Sequence, residues 1–189
     1  EKGRYSGLLL ISIYVTIYFI VSRMFSFSKI YFTVFLAVSI PICLIGYTDY
    51  FNMDILTFKE KISQEQWSIF TSTIGNINTY TAVLAFYIAI SGTLFITTPF
   101  SKDKSKGEGI VKIVFYYIVM FMNFIALSMG NSDNGYLTLG AFFGLVPFVA
   151  FRSMEGVRRF LLTIFTYLLG IKIVKLINIK YAGKVIGIS

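Results

Sequence analysis

The residues of this chain that could do chemistry are few and unevenly placed. Lys172 and Lys175 sit at i and i+3 near the far end of an apolar run, so on a helix they share one face. Such a pair can snorkel to water from a membrane boundary, or it can stabilise a bound phosphate and the charge that develops on a leaving group. Asn76 and Asn78 open another apolar run. Their amides can both donate to and accept from the polar groups of a ligand, while Asn78 or Thr79 can instead cap the helix that follows. In the turn Ser132-Asp133-Asn134, Asp133 can serve as a base toward a hydroxyl, and all three are also N-cap types. The chain has no His, and Cys43 is its one cysteine. The commonest general base, the commonest metal ligand, an internal disulfide and a CxxC metal site are therefore absent, and no metal or cofactor is expected.

The elements that must position these residues are apolar helices. Hydrophobic residues make up 56% of the 189, mean hydropathy is +0.75, and 20 Phe and 13 Tyr suit lipid-facing helices with interfacial aromatic belts. The expected class is all-α, a polytopic transmembrane bundle and a single membrane domain, with spans at 8–22, 30–48, 78–98, 110–129, 136–151 and 160–177. Pro41 and Pro147 fall inside spans, where neighbouring helices can tolerate a kink. Residues 49–70 form the longest polar segment. There Asp54 can cap a short interfacial helix, Ser63-x-x-Gln66 fits a capping box, Ile55, Leu56, Phe58 and Ile62 can lie on the membrane surface, and Trp67 suits headgroup level. Asp49 and Glu65 read as solvated loop residues.

Charge gives the orientation. The links after the first, third and fifth spans hold nine basic residues, Arg23, Lys29, Lys102, Lys104, Lys106, Lys112, Arg152, Arg158 and Arg159. The links after the second and fourth hold two, Lys59 and Lys61. The basic loops at 23–29, 102–112 and 152–159 are thus expected in the cytoplasm, and Asn76, Asn78, Asn134, Lys172 and Lys175 on the outer side. The net charge of +8 reflects this loop asymmetry and does not point to nucleic acid.

Gly75-Asn76-Ile77-Asn78 at the mouth of a span resembles the Gly-Asn-x-Asn segment of bacterial O-antigen ligase and O-antigen polymerase-type membrane proteins. A basic loop, another span and Ser132-Asp133-Asn134-Gly135-Tyr136-Leu137 follow in that family's order. The family's second motif usually reads Ser-Arg, and Asp133 stands where that Arg would be. The resemblance covers residues 67–179. It implies a metal-independent glycosyltransferase of the bacterial plasma membrane that moves glycan from an undecaprenyl-pyrophosphate carrier to a glycan or lipid acceptor on the outer face. Substrate-binding residues would be Asn76, Asn78, Asn134, Lys172 and Lys175, with Asp133 as the candidate catalytic group. The family's decisive Arg and His lie in and beside a large outer loop that would begin near Asn178, so the chain reads as the middle of a longer enzyme without that loop. A transporter or flippase component for lipid-linked sugars fits the same composition and topology.

Overall fold

The computed structural model describes residues 4–24, 28–51, 53–61, 63, 71–99 and 106–180. Among them the chain is all-helical, with no strand: α1 (Arg4–Met24), α2 (Lys29–Tyr50), α3 (Ile77–Thr97), α4 (Lys106–Gly130), α5 (Asp133–Leu145), α6 (Pro147–Ala150) and α7 (Met154–Lys180). Four stretches are long and apolar enough to cross a membrane: Ile30–Tyr50, Ile77–Thr97, Gly109–Gly130 and Met154–Lys180. At about 1.5 Å per residue, even the 21-residue members reach roughly 30 Å, the thickness of the hydrocarbon layer.

The chain divides into two compact units, Glu1–Val34 and Phe35–Ser189. In the first, α1 leaves every side chain from 7 to 23 exposed, and its apolar stretch Gly7–Arg23 is shorter than the four above. Ser12 and Thr16 donate to the carbonyls of Leu8 and Ser12, at 2.9 and 2.8 Å. A hydroxyl turned back onto its own helix is satisfied without water, which suits an apolar surround.

The second unit is built around α3. Its residues Tyr80, Leu84, Ala85, Ile88, Phe95 and Ile96 are all buried, together with Val119, Met120, Phe124 and Leu127 of α4. Small residues let the backbones approach, as is usual where lipid supplies no hydrophobic drive between helices. A Cβ at Gly46 of α2 would lie 2.0 Å from the Tyr80 hydroxyl oxygen, so only glycine admits that ring. Thr81 likewise occupies the space where Gly130 and Gly135 carry no side chain. Across α4 and α7, Tyr117 Oη and Thr166 Oγ1 lie 3.1 Å apart. Between α2 and α4, Asn123 Nδ2 donates to Ser39 Oγ at 3.1 Å and to Val119 O at 2.8 Å.

Helix boundaries differ from the apolar runs at several points: α1, α2 and α4 extend past them, so Arg23, Lys29, Lys106 and Lys112, read as loop residues, lie inside helices. Pro41 is carried within α2 without ending it. Along the run expected as one span at 136–151 the ladder loses a bond at Pro147, which has no N–H and begins α6, while Val146 between α5 and α6 stays helical at φ −61° and ψ −32°. α7 begins at Met154, so Arg158 and Arg159, read as loop residues, lie inside a helix.

Candidate functional site

Two of the polar features expected together meet, the Asn76–Asn78 stretch and the Ser132–Asn134 turn, at the end of the second unit where α2, α4 and α7 finish and α3 and α5 start. Five links make the meeting.

The first is an ion pair. Asp49, in the last turn of α2, lies 3.3 Å from Lys59 Nζ, with the two side chains 9% and 5% exposed. Asp49 is therefore buried rather than solvated, a correction with a physical cause. A carboxylate at a helix C-terminus faces the negative end of the helix dipole, so it needs a donor set of its own. The segment after α2 folds back to supply it. Asp54 accepts the backbone N–H groups of Phe58 and Lys59 at 3.0 and 2.7 Å, which turns the chain into the short 3-10 helix Lys59–Lys61. This is the capping role expected of Asp54. Met53, Ile55, Leu56 and Phe58 are exposed around it. The capping box ending at Gln66, the headgroup position of Trp67, the side chain of Ile62, Glu65 and the basic loop at 102–105 lie outside the described residues or side chains.

The second link is Ser72. Its N–H donates to Asp49 Oδ2 at 2.6 Å and its hydroxyl to the Ile42 carbonyl at 2.9 Å. Ser72 holds φ at 57°, a conformation unusual for a residue with a side chain, and these two bonds keep it there. Gly75, at φ 83°, then closes the 3-10 turn Ser72–Ile74 and aims the chain into α3.

Asn76 is the third. It is the N-cap of α3, and its Oδ1 accepts from the N–H groups of Asn78 and Thr79 at 2.9 and 3.3 Å. The capping role expected of Asn78 or Thr79 thus belongs to Asn76, two residues before the first free N–H that needs it.

Released from capping, Asn78 makes the fourth link. Its Oδ1 accepts the Ser132 hydroxyl at 2.7 Å, tying the start of α3 to the turn between α4 and α5. Ser132 holds the N-cap position of α5 but makes no side-chain cap bond there, its hydroxyl being used by Asn78. The turn itself depends on Asn131 at φ 42°, a conformation asparagine tolerates better than most residues. The fifth link joins the ends of α2 and α7, where the Tyr50 hydroxyl donates to Asn178 Oδ1.

Around this rim stand the remaining candidates. Asp133 and Asn134 are exposed in the first turn of α5. Lys172 and Lys175 are exposed on α7, off the face that buries Gly170 and Val174, and have no ion-pair partner among the described residues. The structure brings Asn76, Asn78 and the Ser132–Asn134 turn together. It gives Lys172 and Lys175 no contact with them, though Asn178 carries the same helix into the rim three residues beyond Lys175. Below the rim, Tyr80 Oη and Asn123 Oδ1 are buried without a hydrogen-bond partner among the described residues.

The opposite end is held by one residue that sequence reading placed in a loop. Arg159, 6% exposed, donates to the carbonyls of Phe95, at 2.7 Å, and Thr98, and to the Glu155 carboxylate one turn back. Its guanidinium carbon lies 5.7 Å from the centre of the Phe95 ring. The carbonyls at the end of α3 have no partners within their helix, and a guanidinium suits them in both geometry and charge. A charged residue directly ahead of an apolar run is the signal that could have found it.

Among the described residues, no group of three or more His, Cys, Asp or Glu side chains is placed to hold a metal ion. Searches against family models, curated proteins and solved structures return no match to this chain.

Proposed function

We propose that this chain is the membrane-embedded part of a protein that transfers or polymerises undecaprenyl-pyrophosphate-linked glycan, of the O-antigen ligase and polymerase kind. In this reading six spans cross a bacterial plasma membrane and the rim faces outward. The observation that carries it is the rim itself, which collects helix ends, amides and acids at one end of an apolar bundle, with Lys172 and Lys175 exposed on the helix that Asn178 brings into it. Polar groups gathered where spans emerge suit a ligand whose tail stays in lipid and whose head is polar.

The roles divide by availability. Lys172 and Lys175, exposed and without an ion-pair partner among the described residues, hold the diphosphate and stabilise it as it leaves the sugar. Asn134 binds sugar hydroxyls, and Asp133 takes the proton of the attacking acceptor hydroxyl. Asn76 and Asn78 shape the site by holding α3 and the α4–α5 turn in place.

The test is binding of undecaprenyl pyrophosphate to the purified protein in detergent, against undecaprenol as the phosphate-free control. Each of Lys172→Gln and Lys175→Gln should weaken binding about tenfold or more, the loss of a charge-assisted contact worth roughly 1.5–3 kcal/mol. Equal binding of the alcohol and the pyrophosphate, or full affinity in both variants, would remove the lysines from the site.

A further inference from the structure

At the end opposite the rim, α7 carries a second arrangement of charge. An open depression of about 470 Å³ is lined by Glu155, Arg158, Arg159 and Leu162, residues spaced i, i+3, i+4 and i+7 on one face of α7. The charges there do not cancel. Arg159 is taken up by Glu155 and by the Phe95 and Thr98 carbonyls. Arg158 is exposed and has no hydrogen bond or ion pair with the described residues. It also lies near the start of its helix, the end that favours an anion over a cation. An anion bound beside Arg158 would satisfy the guanidinium.

Below the arginines the surface is apolar. Leu161, Leu162, Phe165 and Leu168 are all exposed, on one of the four helices long and apolar enough to cross a membrane. A cation with free donors above an apolar column matches an amphiphile with an anionic phosphate head and acyl chains. Inorganic phosphate would use only the upper half of that surface.

We propose that the Glu155–Arg158–Arg159–Leu162 depression is a binding site for an anionic phospholipid, with Arg158 holding the phosphate and the exposed leucines and Phe165 lying along the acyl chains. The occupant is a lipid rather than a soluble anion because the charge stands at the top of a membrane-length apolar face. This inference needs only the membrane character of α7 and is independent of the rim and its substrate.

Native mass spectrometry of the purified full chain, released from micelles containing phosphatidylglycerol and phosphatidylcholine in equal amounts, reads the site directly. The protein should retain phosphatidylglycerol in preference. Arg158→Gln, a change at an exposed position, should lower that occupancy about tenfold, and Arg158→Lys should restore part of it. Arg152→Gln removes an exposed charge outside the depression and should leave occupancy unchanged. Equal losses in Arg152→Gln and Arg158→Gln would reduce the effect to general surface charge and overturn the proposal. So would retention of the two lipids in proportion to their supply, or complete displacement of phosphatidylglycerol by inorganic phosphate.

Discussion

The two ends of the second unit solve the same problem in different ways. Each has helix termini with free backbone groups that must find partners where water is scarce. At the Arg159 end a single guanidinium serves the close of α3, with Glu155 as its counter-ion. At the rim the work is spread over an ion pair, a strained serine, an asparagine cap, an amide–hydroxyl bond and a tyrosine–asparagine bond, drawn from four helices and a connecting segment. The first arrangement is local, with its donor and counter-ion one turn apart on one helix. The second depends on the chain between α2 and α3 returning to cover Asp49. A rim built in this way positions several polar groups at once, as a binding surface requires, and depends on each of its supports.

That contrast can be broken most forcefully at Lys59. Replacing it by Met leaves the Asp49 carboxylate buried without its cation, which should cost about 3–5 kcal/mol. Reversible unfolding in mixed micelles measures the loss, and the double change Asp49→Asn with Lys59→Met should recover much of it. A Lys59→Met protein as stable as the parent would mean that the pair is not buried. Next in size is Arg159→Met, expected at about 2–3 kcal/mol, since the α3 carbonyls lose a charged donor but Glu155 is left half-exposed and can be hydrated. Glu155→Gln, read in the same unfolding measurement, should stay within about 1 kcal/mol.

The smallest effects separate the two asparagines. Asn76→Ala removes the cap of α3 and should cost about 1 kcal/mol, whereas Asn78→Ala loses one bond at an exposed position and should cost about half that. A double-mutant cycle of Asn78→Ala with Ser132→Ala isolates that bond. A coupling near zero would show that the start of α3 and the α4–α5 turn are not joined through it.

What the sequence made legible was set by how local each feature is. The apolar runs of α2, α3, α4 and α7 are continuous enough to announce helices of membrane length. Charge-free stretches and the basic links around them place the polar ends without any tertiary information. Asp49 was not legible, because an acid just past an apolar run is ordinarily solvated, and its burial is decided ten residues later by Lys59. Arg159 was misplaced for a related reason. Hydropathy marks where a helix becomes apolar rather than where it begins, and α7 starts six residues earlier, at Met154. The asparagine cap was legible as chemistry but not as position, since Asn76, Asn78 and Thr79 are all competent and only the observed φ of −109° at Asn76 selects among them. Pro147 signalled a kink, and α5 and α6 divide just before it, at Val146, where the backbone stays helical.

The proposed orientation sets the rim and the Arg159 end on opposite sides of a membrane. Single cysteines at Asn134 and Arg152, both exposed, test this in a Cys43→Ser background, where the buried native thiol is removed. In intact cells an impermeant thiol reagent should label position 134 and leave position 152 unlabelled until the membrane is permeabilised. Labelling of both positions in intact cells, or of 152 alone, would contradict the account.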